Sequence, residues 1–285
     1  MAVSVRVLLA DDSAALETFL RRHADSSMFL RSNLRMAGIV DRGETYHGTY
    51  VAAFEGGTMV GAIANSWSGM VLIQAPAHLD ALVPALRQAT DRPVSGFAGP
   101  ADQVNAARRL FGMARRPSRI DDREILMALD VADLRQPASL VDGTLAVRQA
   151  VPADLDTLAR WRAAYSIEAL GAEDNDATRK DAEAGIRAWQ ERGANWVALR
   201  DGERVAFSGF NAGLPDMVQV GGVYTPPPLR RRGYGRAVVA GSLLAVAGLG
   251  VRRAILFVQQ ANVAAQRAYA ALGFRPVGDY GLVLF

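Results

Sequence analysis

Apolar and polar positions run through this chain in two successive cycles of the same form. Residues 4–9 alternate as a strand, and Asp11 or Asp12 can cap a helix reaching about residue 24. A second helical stretch covers 27–37. Three strand-like runs follow at 50–55, 58–66 and 70–74, with Gly56-Gly57 as a hairpin turn between the first two. Residues 77–89 read as a helix, 94–98 as a strand, 101–114 as a helix and 122–129 as a strand. The order β-α-α-β-β-β-α-β-α-β then begins again at Thr144. Its members are a strand at 145–149, helices at 154–170 and 177–192, and strands at 196–200, 204–211 and 218–225. Asp201-Gly202 supplies the hairpin turn. A helix at 235–247, a strand at 253–258, a helix at 262–272 and a last strand near Leu282 complete the cycle. The pattern predicts an α/β protein built as two tandem domains with mixed sheets. They cover 1–131 and 144–285, joined by a linker at 132–143. A faint echo supports the repeat: FAGPADQVNAARRLFG from Phe97 is similar to FVQQANVAAQRAYAALG from Phe257.

The second cycle contains a stretch with its own chemistry, VQVGGVYTPPPLRRRGYGRA from Val218 to Ala237. Val218, Val220 and Val223 suit a buried strand, and Pro226, Pro227 and Pro228 end it. Gly233 and Gly235 remove two Cβ atoms where the chain turns into a helix. The first backbone N–H groups of a helix have no partner within it, and glycines let a ligand approach them. Arg230, Arg231, Arg232 and Arg236 add positive charge, so the stretch is suited to a phosphate or pyrophosphate. A Walker A loop is excluded because no lysine lies in this stretch. A dinucleotide fingerprint is excluded because Val238 occupies the position of its third glycine.

Arg230, Gly233 and Gly235 form Arg-x-x-Gly-x-Gly, which resembles the acetyl-CoA pyrophosphate loop of the GNAT N-acetyltransferase superfamily. Asn262, Ala265, Tyr269, Gly273 and Phe274 resemble that family's second motif, in the expected order. The resemblance implies that acetyl-CoA, as acetyl donor, is held by Val223, Tyr224 and Thr225 of the strand. The loop residues Arg230, Arg231, Arg232, Gly233, Tyr234, Gly235 and Arg236 would join them, with Asn262 and Tyr269. In the family the asparagine contacts the pantetheine arm, and the tyrosine protonates the departing thiolate. The family's strand glutamate, a base in some members, corresponds here to Gln219. Glu168 is therefore the second candidate base, within a region (Tyr165, Glu168, Glu173, Asp174) where relatives bind the acceptor. Asn211 and Asp216 are weaker candidates. The first cycle has Ala75-Pro76-Ala77-His78 where the loop belongs, and Arg109 or Leu110 near the tyrosine position. It is expected to be a degenerate domain that has lost acetyl-CoA binding.

Composition narrows the chemistry. The 285 residues contain no cysteine and three histidines, all in the first half (His23, His47, His78). That excludes disulfides and thiolate catalysis, and leaves the second half without a histidine triad or a histidine-ligated zinc. No metal is expected. Basic residues exceed acidic ones by 32 to 29, Lys180 being the only lysine, and no apolar run approaches a membrane span. The expectation is a cytoplasmic acetyltransferase, monomeric or a homodimer. It would act on a primary amine of a small molecule, and an acidic acceptor site would suit a cationic amine. No nucleic-acid or membrane partner is expected. A peptide or protein acetyltransferase and a non-catalytic CoA-binding sensor are the alternatives.

Overall fold

The computed structural model describes residues 3–285. Contacts divide the chain into two units. One runs up to Leu126 and takes in Val277–Phe285; the other is Met127–Pro276. The first unit opens with β1 (Val3–Val7), α1 (Ser13–Arg21) and α2 (Met28–Ala37). It continues through β2 (Gly48–Glu55), β3 (Thr58–Ser66), β4 (Met70–Gln74), α3 (Leu79–Ala89), β5 (Gly96–Pro100) and α4 (Ala101–Leu110) to β6 (Ile120–Asp130). The second contains α5 (Ala138–Val141), β7 (Ala146–Gln149), α6 (Leu155–Leu170), α7 (Asp176–Glu191), β8 (Asn195–Arg200) and β9 (Glu203–Gly213). Then come β10 (Met217–Tyr224), α8 (Tyr234–Ala247), β11 (Arg253–Gln259), α9 (Val263–Leu272) and β12 (Arg275–Leu284), whose residues from Val277 onward belong to the first unit.

The two cycles repeat at the level of pairing. In the first unit β1-β2-β3-β4 are antiparallel neighbours and β4 lies parallel to β5. In the second, β7-β8-β9-β10 are antiparallel and β10 lies parallel to β11. Both hairpins use a two-residue turn with positive φ at each residue, 53° and 83° at Gly56-Gly57 and 52° and 80° at Asp201-Gly202. That matches the twist of antiparallel strands.

The repeat extends to a polar clamp at the start of each unit. Arg6 donates twice to Asp12, at 2.6 Å each, and Asp12 also accepts from Leu9 N–H. Arg148 donates to Asp154 at 2.6 and 3.0 Å, and Asp154 accepts from Val151 N–H. Each aspartate thereby ties the first strand to the first helix. The second adds Arg204 of β9, whose Nε lies 2.5 Å from Asp154.

The last strand departs from the boundaries expected from the sequence. It pairs antiparallel with β5, from Tyr280↔Pro100 to Leu284↔Gly96, and Val283 is buried in the first unit's core with Val51, Ile63 and Phe97. Meanwhile residues 127–130 of β6 belong to the second unit beside β11. There Val131 N–H donates to Arg252 C=O at 2.8 Å and Arg253 pairs with Asp130. The range 144–285 is thus not one contact unit. The segment expected as a linker, 132–143, holds the short helix α5 within the second unit. The helix expected to reach residue 114 stops at Leu110, because Gly112 takes φ 72°.

The second unit's sheet is buried on both faces. Leu158, Ile186, Trp189, Val197, Phe207 and Tyr224 pack together under α6 and α7. On α8, Ala237, Val238, Val239, Ala240 and Leu243 are all fully buried. Each such valine or leucine is worth about 1.5–3 kcal/mol of burial. No helix among the described residues is long and apolar enough to cross a membrane.

Candidate functional site

β10 and β11 begin as a regular parallel pair and then part. Their register runs from Met217↔Arg253 to Val220↔Leu256, yet β10 continues to Tyr224 and β11 to Gln259. On its other side β10 shifts register against β9 between Gln219 and Val220 and again between Gly221 and Tyr224. Gly222 sits in that irregular stretch with φ 59°. Backbone groups of residues 221–224 facing β11 are thereby released from the ladder. A buried peptide group needs a partner, so the parted strands form a slot for an extended, hydrogen-bonding ligand.

The helices place two further features at the same end of this slot. Because β10 and β11 are parallel, α8 and α9, which follow them, both start at the strands' carboxyl ends. Ligands bind there in open α/β sheets. The three prolines form a short 3-10 turn at Pro227–Leu229. Arg231 then takes φ 62° and Gly233 φ 81°, and Gly233 caps α8. The first helical bond is from Ala237 N–H to Gly233 C=O, so the preceding N–H groups project from the helix start. Successive turns of opposite hand let such groups converge on an anion. At Gly235 a Cβ would stand 3.4 Å from Thr225 Oγ1 and 3.7 Å from Val223 Cγ1, so the helix start lies close over the end of β10.

The loop's cations divide by what they touch. Arg230 donates from Nε to Thr225 C=O at 2.9 Å and from a terminal nitrogen to Glu168 at 2.6 Å, and its guanidinium lies 5.5 Å from the Tyr224 ring centre. Two residues expected to have separate roles, Arg230 and Glu168, are thus an ion pair. Arg231 is exposed, and Arg232 reaches Pro228 C=O at 3.5 Å. Arg236 points toward Gly233, and its Nε is buried without a partner. Tyr234 is buried and holds Arg200 through its hydroxyl at 3.0 Å. That hydrogen bond lowers the phenol's pKa. What Tyr234 presents to the loop is its backbone.

On α9, Asn262 caps the helix by accepting from Ala265 N–H at 3.0 Å. Tyr269 lies seven residues further, about 10 Å along the axis at 1.5 Å per residue. It meets Phe274 edge-on with ring centres 6.0 Å apart. Gly273 ends the helix at φ 105°.

The candidate bases are mostly engaged. Gln219 is buried, donates to Val220 C=O at 2.8 Å and leaves Oε1 unpartnered. Glu173 accepts from Asn175 and Asp174 pairs with Arg179. Asp216 accepts two backbone bonds at its carbonyl, from Arg252 and Arg253. The side chain of Asn211 stands against Gly221. Tyr165 faces Arg162, a residue the sequence patterns did not single out; its guanidinium lies 5.1 Å from the Tyr165 ring and 5.0 Å from that of Trp189. The consecutive glycines Gly221-Gly222, which make room for it, were the available signal. Among the described residues no group of acidic or histidine side chains is arranged to hold a metal ion.

The same position in the first unit is closed. Only residues 75–78 separate β4 from α3, and His78, at φ 58°, stands where Gly233 caps α8. Its Nε2 is bonded to Glu55 at 2.6 Å. Ala75 N–H donates to Gln103 at 2.7 Å, and Gln74 accepts from Ser26 and Ser27. A Cβ on Gly99 would lie 2.5 Å from Ile73 C=O, so β5 closes tightly on β4. The chain's own side chains thus fill the bonds that the second unit leaves open.

The comparisons bear on the fold and on the second half of the chain. The acetyltransferase (GNAT) family model matches residues 156–274. No curated protein matches the sequence. Among solved structures, a tandem GNAT protein from the clavulanic acid biosynthesis pathway is 15% identical, with a TM-score of 0.56 over 99% of this chain and 97% of its own. A GCN5-related N-acetyltransferase from Sphaerobacter thermophilus is 16% identical, with a TM-score of 0.57 over 99% and 94%. A GNAT-family acetyltransferase from Colwellia psychrerythraea is 13% identical, with a TM-score of 0.56 over the whole of both chains. At these identities the structures speak for the fold, and the family model for the second half. Residues 156–274 thus carry the GNAT acetyltransferase family match, and over its whole length the chain is similar in fold to a tandem GNAT protein.

Proposed function

We propose that the chain is an acetyl-CoA-dependent N-acetyltransferase that acetylates a primary amine of a small molecule, using the second unit alone. The observation that carries this reading is the parting of β10 from β11 after Val220↔Leu256, with the Gly233-capped helix at the same end. Bound acetyl-CoA supplies an activated thioester. The N–H groups projecting at 233–236, with Arg231 and Arg236, take the pyrophosphate, and the freed backbone of 221–224 takes the pantetheine arm. One of those N–H groups meets the negative charge that develops on the thioester oxygen. The amine nitrogen bonds to the carbonyl carbon as the carbon–sulfur bond breaks, and the Tyr269 hydroxyl gives its proton to the departing sulfur. The amine's own proton leaves through water, since Gln219 cannot accept it. Arg230, held by Glu168 and by Thr225 C=O, borders the loop where the pyrophosphate would lie. The first unit, its equivalent position filled, takes no acetyl-CoA.

An acetyl-CoA consumption screen over pools of amines, run on the wild type and on Tyr269→Phe, tests this. Turnover that falls at least about tenfold in the variant, with acetyl-CoA affinity retained, is expected. Equal turnover in the variant would remove Tyr269 from the mechanism. Binding without turnover on any pool would favour a CoA-binding sensor.

A further inference from the structure

We propose that Arg162 selects an acceptor that carries a carboxylate beside its amine, that is, an amino-acid-like substrate. This rests on the acetyltransferase reading above and names the substrate class of the same site.

Arg162 lies on α6 with its guanidinium between the rings of Tyr165 and Trp189. One of its terminal nitrogens is 2.9 Å from the point where a Cβ of Gly222 would stand, directly over the stretch of β10 released from β11. Gly222 has φ 59°, and its Cβ position is also only 2.7 Å from Trp189, so the absence of a side chain there lets the guanidinium reach the strand. On the neighbouring residue, Asn211 brings its amide against Gly221. A charged fork and an amide thus flank the two glycines where the thioester is expected.

No acidic side chain pairs with Arg162 among the described residues. The nearby acids are committed elsewhere: Glu168 to Arg230, Asp154 to Arg148 and Arg204, Asp174 to Arg179. Burial lowers the pKa of Arg162. In the first unit, by contrast, the buried Arg31, 3% exposed, is paired with Glu17 at 2.9 Å. A half-buried guanidinium held by aromatic faces and lacking a counter-ion is positioned for a ligand's anion to pair with it. The planar fork matches a carboxylate through two parallel bonds. Of the acids expected to form an acceptor site, Glu168 and Asp174 are paired with arginines and Glu173 accepts from Asn175, whereas Arg162 has no acidic partner among the described residues.

The test uses matched acceptors with the full chain. α-Amino acids are compared with their amides and with the decarboxylated amines of the same side chain, by acetyl-CoA consumption. Binding of an N-acetyl amino acid and of its amide is followed in parallel by thermal unfolding. In the wild type the carboxylates are expected to show kcat/KM at least about 100-fold higher, because a site built for a polar group rejects analogues lacking it. N-acetyl amino acids alone are expected to stabilise the fold. In Arg162→Gln the preference collapses through a rise in KM, with acetyl-CoA affinity unchanged. Wild-type turnover indifferent to the carboxylate, or a preference that survives in Arg162→Gln, would overturn the assignment and leave the acetyltransferase reading standing. Should Arg162→Gln fail to fold, the wild-type series decides alone. Failure to bind acetyl-CoA would instead sink the parent reading.

Discussion

Replacing Asp154 by asparagine removes one negative charge from the point where β7, β9 and the start of α6 meet. The side chain is fully buried, accepts from Val151 N–H, and lies between Arg148 and Arg204. Burial alone would raise its pKa, but the hydrogen bonds from Arg148, from Val151 N–H and from Arg204 outweigh it and hold the carboxyl at about 2 against an ordinary 3.8. That difference corresponds to about 2 kcal/mol of stability at 1.36 kcal/mol per pKa unit. The arginines are 37% and 31% exposed, so water takes up part of their charge when the partner is lost. The cost should therefore stay below the roughly 3–5 kcal/mol of a fully buried broken pair. Asp154→Asn is expected to cost about 2–3 kcal/mol at pH 7. The matching change Asp12→Asn, with a single arginine partner that is 47% exposed, is expected to cost about 1 kcal/mol. Urea unfolding followed by tryptophan fluorescence reads this directly, because Trp161, Trp189 and Trp196 all lie in the second unit. The pH dependence carries a sign as well. A depressed carboxyl contributes stability that is present above its unfolded pKa and lost as pH falls through about 2, so the variant's profile should be flatter below pH 4. A cost under about 0.5 kcal/mol at pH 7, the range of ordinary surface substitutions, would refute the reasoning. So would an unchanged acid limb.

Two further outcomes are expected. Glu124 is pushed up to about 7, first by burial and then by the charge of Asp122. The fold should lose about 3 kcal/mol as pH rises from about 4.5 through 7, a loss that Glu124→Gln abolishes in pH-dependent urea unfolding; an identical profile would contradict it. Gly233→Ala forces a Cβ onto a residue at φ 81° and should cost about 1–2 kcal/mol. It should also remove stabilisation by acetyl-CoA, and a folded variant that responds normally would sink the assignment of the loop.

What could be read from the sequence followed the range of its signals. Element order came through because period-two and helical patterns are local, and the turns at Gly56-Gly57 and Asp201-Gly202 announce themselves. Asn262 as a helix cap needed only its neighbours. The destination of the last strand did not come through. Its alternation specifies a buried face but not a partner, and its fit beside β5 depends on close backbone approach. A Cβ on Gly96 of β5, for example, would run into the Val283 carbonyl of the last strand. The paired clamps Arg6–Asp12 and Arg148–Asp154 share a six-residue spacing, a repeat visible once the geometry is known. Long-range pairing decided the rest. Glu168 and Arg230 are 62 positions apart, and no local pattern says that they neutralise each other. Arg162 stands out only once its aromatic neighbours and its lack of an acidic partner among the described residues are seen.

The central claim is that the second unit, and only that unit, binds acetyl-CoA through the parted strands and the Gly233-capped helix. Calorimetric titration of the full chain with acetyl-CoA tests it most directly. The account predicts saturable binding of one acetyl-CoA per chain, accompanied by a rise in unfolding temperature, since a ligand that binds only the folded state stabilises it by mass action. A folded chain that releases no heat and gains no stability at saturating acetyl-CoA would contradict the account. Two equivalent sites per chain would contradict the reading of the first unit.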